Sequence, residues 1–246
     1  MNIVKKFIRG IDFCGKIRYT KHKEYIMIGC VIAMDSEAEV LLSQMEIESV
    51  SSLYGKPVYI GKAFGKEILL VVSGEGKVNA AAGACAAISK GADLVLNFGV
   101  AGGLSPARCE VSELYLVEKA VQYDFDLVQL SGKPVGTLPD EDDNFLSLYC
   151  PNTLDFARRV LGTGDRFNDS VADHELLLQL GCDLREMEGG AMAQVCKYAG
   201  VPFVSVKAVS DVYGSGSTTE QFRKNLKLAL LNLKAHLKEI LEALDD

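Results

Sequence analysis

Hydrophobic and polar positions alternate along the chain in a way that predicts a single α/β domain. From residue 25 onward, short β-branched apolar runs alternate with stretches of helical periodicity, without internal repeats. The apolar runs predict strands at residues 26–33, 58–64, 68–72, 94–98, 114–122, 160–164, 184–187 and 203–209, the second and third forming a hairpin. The helical stretches predict helices at 36–45, 77–90 and 190–199, and a loop at 99–104 is expected to follow the strand at 94–98.

The C-terminal segment has the clearest helical periodicity in the chain. Its apolar residues recur at steps of three and four, at Phe222, Leu226, Leu230, Leu233, Leu237, Leu241 and Leu244. Ser217 and Glu220 have the spacing of a capping box at its start. We expect this helix to have a structural role, with its apolar stripe packed on the sheet.

Composition narrows the class of protein. The 246 residues are 48% hydrophobic and 24% charged, which suits one buried core and excludes disordered, collagen-like and coiled-coil chains. The apolar runs are much shorter than the roughly 20 residues of a membrane-spanning helix. A net charge of −7 disfavours a nucleic-acid surface, since binding to phosphates requires a basic face. A small-molecule partner is therefore favoured, with no nucleic acid and no membrane.

The first 25 residues differ in charge from the rest. They carry seven basic and two acidic residues, whereas residues 26–246 are strongly acidic. We interpret residues 1–25 as a basic N-terminal extension and residues 26–246 as the domain. A solvated extension is favoured over a targeting peptide, because no apolar stretch with a small-residue cleavage site appears. A weak contact with an anionic partner is the alternative.

Cysteine and histidine usage favours a cytoplasmic protein without a metal. The seven cysteines include no C-x-x-C pair, as is typical of a reducing compartment. The three histidines do not stand at metal-ligand spacing from one another or from a cysteine. The acidic run at 140–143 is interpreted as a solvated loop or helix start rather than a metal site.

Two glycine-rich segments resemble nucleotide-binding loops but lack their chemistry. The segment GEGKV at 74–78 is similar to the end of a P-loop, but Val71 replaces the leading glycine and Val78 the magnesium-binding Ser or Thr. The segment GVAGG at 99–103 lacks the G-x-G-x-x-G spacing of a dinucleotide site. Neither segment predicts ATP or NAD binding.

Three acidic residues follow predicted strands, where open α/β sheets bind ligands. These are Glu37, Glu188 and Asp211. Each alone is equally consistent with an acidic residue favoured by a helix N-terminus. Together they predict a site in which one protonated carboxyl group acts as general acid and an ionised one as base.

Six ordered motifs then give a specific resemblance. They are IAMDSE at 32–37, SGEGKV at 73–78, GVAGGL at 99–104, GDRF at 164–167, EMEG at 186–189 and AVSD at 208–211. The chain from about residue 26 to its end resembles the nucleoside phosphorylase and nucleosidase superfamily, most of all 5′-methylthioadenosine/S-adenosylhomocysteine nucleosidases. The resemblance implies a three-layer α/β/α sandwich around a central mixed, twisted sheet. It also implies a homodimer in which residues 121–139 complete the neighbour's 5′ pocket.

The implied activity is cleavage of a purine N-glycosidic bond without a cofactor. By this resemblance, Asp211 protonates N7 of the purine and Glu37 activates water. Glu188 and the Met187 backbone hold the ribose hydroxyls. Phe167 stacks on the base, whose edge is read by the backbone of Asn168.

Further positions are assigned to the substrate site by the same resemblance. They are Met34, Glu75, Val100, Ala101, Gly102, Glu186 and Lys207. Lys207 and Val100 depart from the usual Arg and Ser, so the polar network around the water is expected to be thinner. The segment Thr218–Glu220 stands where an aromatic residue is expected, and Glu75 stands at an Ile-like position. Because a carboxylate beside a methylthio group loses hydration without gaining a partner, a 5′-hydroxyl or other polar 5′ group is expected.

Other functions remain open at this point. A phosphorylase would need cationic groups around phosphate, but Asn97 and Phe98 stand where phosphorylases carry an arginine, and Arg108 lies beyond the loop. Water is therefore the favoured nucleophile. A nucleoside-binding protein without turnover and an unrelated α/β binding domain are the further alternatives.

Overall fold

The computed structural model describes residues 10–11, 17–18, 26–139, 141–167 and 169–245. The predicted basic extension, the first residue of the acidic run at 140–143 and the predicted site residue Asn168 therefore lie wholly or largely outside the described residues. Within the N-terminal segment, β1 (Gly10–Ile11) and β2 (Ile17–Arg18) pair antiparallel.

The remaining elements are strands and helices of one domain. The strands are β3 (Met27–Ile32), β4 (Glu46–Leu53), β5 (Lys56–Ala63), β6 (Lys66–Val72), β7 (Leu94–Gly103), β8 (Leu114–Gln122), β9 (Leu146–Ser147), β10 (Arg158–Thr163), β11 (Leu184–Glu186) and β12 (Phe203–Val212). The helices are α1 (Asp35–Leu42), α2 (Lys77–Ser89), α3 (Val128–Ser131), α4 (Val171–Gln179), α5 (Gly189–Ala199) and α6 (Thr218–Glu242), and a 3₁₀ turn (Ala243–Asp245) follows.

One mixed sheet contains strands β3 to β12. Its order is β11-β10-β8-β12-β7-β3-β6-β5-β4, with β9 beside β8. β3 is parallel to β6 and β7, and β12 is parallel to β7, whereas β8 and β12 are antiparallel. Strand β11 also pairs with the end of β7, so β7, β12, β8, β10 and β11 form a closed ring of neighbours.

Helices cover both faces of this sheet, which gives the predicted three layers. On one face, α1 and α6 bury residues such as Leu41, Leu233 and Leu237 against β3, β7 and β12. On the other, the alanine-rich α2 and α5 pack closely on the sheet through small side chains such as Ala84 and Ala193. The fold class predicted from the sequence is confirmed. Among the described residues, no helix combines the length and apolar character that crossing a membrane requires.

Two sequence predictions about element ends were wrong. The segment 99–104 was predicted as a loop, but β7 continues to Gly103, because Gly102 and Gly103 pair with β11 on one side and β12 on the other. Likewise β12 continues to Val212, so Asp211 lies inside a strand rather than at its end. Strand β4 and helix α4 were not predicted at all.

The start of α6 also differs from prediction in detail. Ser217 is the N-cap residue as expected, but its side chain makes no capping hydrogen bond. The backbone N–H of Thr218 instead donates to Asp169 Oδ1 at 3.2 Å. A carboxylate from the segment just before α4 thus caps this helix.

Candidate active site

Glu37 is held at the start of α1, directly beside β7. Its carboxylate accepts hydrogen bonds from the backbone N–H of Val100 at 2.7 Å and of Met34 at 3.1 Å. Gly99 makes this approach possible, since a Cβ there would lie closer than 3.0 Å to Glu37 Oε1. Gly99, the first residue of the GVAGGL motif, therefore makes room for the predicted base.

Glu188 and Glu186 lie where β11 passes into α5. Glu188 is the N-cap residue of α5, and its Oε1 accepts from the N–H of Gly76 at 2.6 Å. Glu186 accepts from the N–H groups of Glu188 and Gly189 at 2.9 and 2.7 Å. Lys207 pairs with Glu186 at 3.2 Å, with both side chains almost completely buried. Lys207 thus supports the start of α5 from behind the site.

Asp211 and Arg185 meet over Gly102. In the sheet, Gly102 is paired with Arg185 on β11 and with Asp211 on β12. Nη2 of Arg185 lies 3.7 Å from Asp211 Oδ2 and donates to Thr218 Oγ1 at 2.9 Å. Asp211 Oδ1 accepts from the Ser210 hydroxyl at 2.8 Å, whereas the buried Oδ2 has no hydrogen-bond partner among the described residues. A buried carboxyl oxygen that has an ion-pair contact but no hydrogen bond can form one with a ligand.

Burial shifts the proton affinities of all three predicted acids. Desolvation raises the pKa of Glu37, while the nearby Lys207 ammonium acts to lower it. Desolvation and the neighbouring Glu186 raise the pKa of Glu188 to about 8. Desolvation also raises the pKa of Asp211, partly offset by the Ser210 hydrogen bond and the Arg185 charge. The site therefore favours protonated carboxyl groups more than water does.

These groups open onto one cavity of about 550 Å³. Predicted site residues that line it are Met34, Glu37, Glu75, Val100, Ala101, Gly102, Phe167, Glu186, Met187, Glu188 and Asp211. Lys207 is not part of this lining. Its ammonium group pairs with Glu186 instead of facing the cavity. Asn168 lies outside the described residues.

Several lining residues were missed by sequence reasoning. They are Ala33, Arg166, Arg185, Ser210, Phe222 and Arg223. Phe222 packs edge-to-face against Phe167, with 5.5 Å between ring centroids, and supplies an aromatic residue near the position where Thr218 and Thr219 stand. The sequence assigned Phe222 only to the apolar stripe of α6. Its position close to the start of α6, near Thr218 and Thr219, could have indicated that it lies at the site. Arg185 gave no periodic or motif signal, because only the pairing of β11 with β7 brings it to Asp211.

Comparison with known proteins identifies relatives of this chain. A 5′-methylthioadenosine/S-adenosylhomocysteine nucleosidase of Marinomonas sp. (strain MWYL1) is 31% identical over 230 residues, covering 88% of this chain and 98% of that protein. A solved nucleosidase of the same name from Helicobacter pylori, bound to butyl-thio-DADMe-Immucillin-A, has a TM-score of 0.80 at 26% identity and covers 89% and 99% of the two chains.

A second solved structure carries a different name. The futalosine hydrolase of Helicobacter pylori has a TM-score of 0.80 at 25% identity, covering 88% of this chain and 97% of that one. The sequence model of one protein family, the phosphorylase superfamily, matches residues 27–242, which is almost the whole predicted domain. The chain therefore belongs to the phosphorylase superfamily.

Proposed function

We propose that this chain hydrolyses the N-glycosidic bond of a purine nucleoside, releasing free base and the ribose moiety. The observation that carries the proposal is that Glu37, Glu188 and Asp211, separated by up to 174 positions in sequence, line one cavity. The nucleosidase and hydrolase relatives support the same reaction class. The resemblance implies a role for each residue, and the contacts of each residue allow that chemistry.

Asp211 is the proposed general acid. Its Oδ2 is buried and lacks a hydrogen-bond partner among the described residues, so a proton there is available to N7 of a bound purine. Burial raises the pKa of Asp211, so the protonated form is more favourable here than in water. Protonation at N7 makes the base a neutral leaving group as the ribose gains oxocarbenium character.

Glu37 and Glu188 are the proposed base and ribose ligand. Two backbone N–H groups fix the Glu37 carboxylate, so it orients and deprotonates the attacking water with little reorganisation. Glu188, fixed by the Gly76 N–H, and the Met187 backbone are placed to bind ribose hydroxyls. Phe167 is half exposed at the cavity and offers a face for the purine.

Water, not phosphate, is the proposed nucleophile. The charged groups that act on Glu37 are Lys207 and Glu186, and Lys207 is already paired with Glu186. Asn97 is buried and donates to the Val31 carbonyl, while Arg108 pairs with Asp183 outside the cavity lining. Among the described residues, Lys207 is the cation that acts on Glu37, and its pairing with Glu186 leaves no dedicated cation for a phosphate ion beside Glu37.

The 5′ substituent is proposed to be a hydroxyl or another polar group. Glu75 is exposed at the cavity, where a methylthio group would desolvate its carboxylate without compensation. We further propose a cytoplasmic homodimer in which residues 121–139 complete the neighbour's pocket. The strongly exposed Leu130 and the exposed Val128 of α3 are consistent with such an interface, and a size measurement that finds only monomer would oppose it.

The function is tested by base release from a panel of nucleosides, with and without phosphate. The panel contains adenosine, inosine, 5′-methylthioadenosine and futalosine, and the enzymes are wild type and Asp211→Asn. We expect free base and free ribose product without phosphate, and loss of base release in Asp211→Asn. A requirement for phosphate with a 1-phosphorylated sugar would establish a phosphorylase instead. Tight binding without any base release would establish a binding protein.

A further inference from the structure

We propose that Arg185 makes this site selective for purines with an oxygen at position 6 over purines with an amino group there. The inference rests on the proposed function, because the proposed function places the purine edge against Asp211. It concerns the identity of the base, which neither the three acids nor the 5′ pocket determines. Inosine-type and guanosine-type nucleosides are the substrate class.

The sheet register fixes Arg185 beside the general acid. Both residues are paired with Gly102, from opposite sides of β7, so their side chains converge above a residue without a side chain. A Cβ at Gly102 would lie 2.7 Å from Asp211 Oδ2 and 3.1 Å from Arg185 Nε. Arg185 is almost completely buried and lines the cavity. A ligand atom that reaches Asp211 Oδ2 therefore also meets a guanidinium.

The purine presents two groups side by side on this edge. A 6-oxopurine offers two acceptors, N7 and O6, whereas adenine offers the N7 acceptor and an amino donor. A protonated Asp211 matches N7 in both cases. Arg185 has only donors, so it matches O6 and places a donor against the amino group of adenine. Arginine is for the same reason the common partner of the N7/O6 edge of guanine in DNA recognition.

The neighbouring acceptors are already engaged. Asp211 Oδ1 accepts from Ser210 at 2.8 Å. Thr218 Oγ1 accepts from Arg185 and donates its proton to Asp169. On this side of the purine, an adenine amino group would face the guanidinium of Arg185, so that two donors would oppose each other. Such a mismatch between buried donors is costly, and this cost is the source of the proposed selectivity.

The test uses pairs of substrates that differ only at position 6. The pairs are inosine with adenosine and 5′-methylthioinosine with 5′-methylthioadenosine, so the preference for a 5′ group cancels within each pair. We expect wild type to favour the 6-oxo member at least tenfold in kcat/KM in both pairs. Arg185→Leu should lower this ratio by about ten- to a hundredfold, the range of a hydrogen bond to a charged group.

Arg223→Leu is the matched control, because it removes a positive charge from the same cavity lining. It should leave the ratio within each pair unchanged, whatever its effect on the absolute rates. Circular dichroism verifies that both variants fold. Equal or adenine-favouring rates in wild type would overturn the proposal, as would equal shifts of the ratio in the two variants.

Binding of the free bases separates the two proposals. Calorimetry with hypoxanthine and adenine on the wild-type protein measures the base preference without turnover and without any variant. Tighter binding of hypoxanthine together with no hydrolysis would remove the proposed function and keep the selectivity. Hydrolysis of nucleosides together with tighter binding of adenine would remove the selectivity and keep the function.

Discussion

Gly102→Ala is the smallest change that should displace the carboxyl group of Asp211, the proposed general acid, while leaving the other proposed catalytic groups in place. The residue lies inside β7 and needs no unusual backbone conformation, so the added methyl group acts by its volume alone. It would lie 2.7 Å from Asp211 Oδ2, whereas ordinary van der Waals contact begins at 3.4 Å. The carboxyl group must therefore move by roughly 0.7 Å, and a misplacement of about 1 Å costs about a hundredfold in rate.

The expected loss is about a hundredfold in kcat/KM for purine nucleosides, or about 2.7 kcal/mol of transition-state stabilisation. A ribosyl donor with a leaving group that departs as an anion, 4-nitrophenyl β-riboside, does not need the acid. Gly102→Ala should therefore hydrolyse it at a rate near that of wild type. Release of nitrophenolate and release of purine are both followed spectrophotometrically.

Gly99→Ala supplies the matched comparison, because its methyl group would displace Glu37 instead of Asp211. It should slow both substrates, since both require the activated water. A full rate of Gly102→Ala on inosine and adenosine would contradict the proposed role of Asp211. An equal loss of rate on the nucleosides and on the nitrophenyl riboside would contradict it as well. Thermal melting of both variants shows whether the fold is retained.

Three further changes give independent tests. Glu188 has a pKa of about 8 in the folded protein, so its protonated form stabilises the fold fully below pH 4.5, and this stability is lost as the pH rises through 8. Glu188→Gln should flatten that part of a plot of urea-unfolding free energy against pH between 5 and 9; an unchanged slope would contradict this. Glu75→Leu should shift preference from adenosine toward 5′-methylthioadenosine in kcat/KM, and an unchanged ratio would remove the role given to Glu75. Lys207→Met leaves Glu186 buried without its cation and should lower the free energy of unfolding by about 3–5 kcal/mol. Lys207→Arg keeps the positive charge and should retain most of the wild-type stability. Equal urea midpoints for the two variants would contradict this.

Most of the fold could be predicted from the apolar pattern, because both kinds of element have a distinct period. The prediction of β8 at 114–122 was confirmed to the residue, and the amphipathic α6 was confirmed as a helix packed on the sheet, although Phe222 and Arg223 near its start also line the cavity. The end of β7 could not be predicted, because Gly102 and Gly103 have weak strand preference and are held by pairing with β11. Strand β4 escaped prediction since it is an almost wholly exposed edge strand without an apolar face.

The site was predictable as far as it is built from residues next to strand ends. Glu37 and Glu188 lie in or at the start of helices that directly follow strands, as the sequence indicated. Arg185 could not be identified, because its position depends on an antiparallel pairing between segments more than 80 residues apart. Contacts of this kind require tertiary structure, and no local pattern encodes them.

Lys207 stands where the resembling nucleosidases usually have an arginine, and the sequence suggested an effect on the network around the water. Its contacts lie elsewhere. In the site, its ammonium group lies near Glu37, Glu186 and Glu188, three buried acids for one cation. The direct ion pair is with Glu186, whose carboxylate receives the N–H groups of Glu188 and Gly189. The cation thereby fixes the backbone from which Glu188 projects, while Glu188 and Glu37 have raised pKa values. We therefore expect Lys207 to influence the position of Glu188 and the protonation of the buried acids.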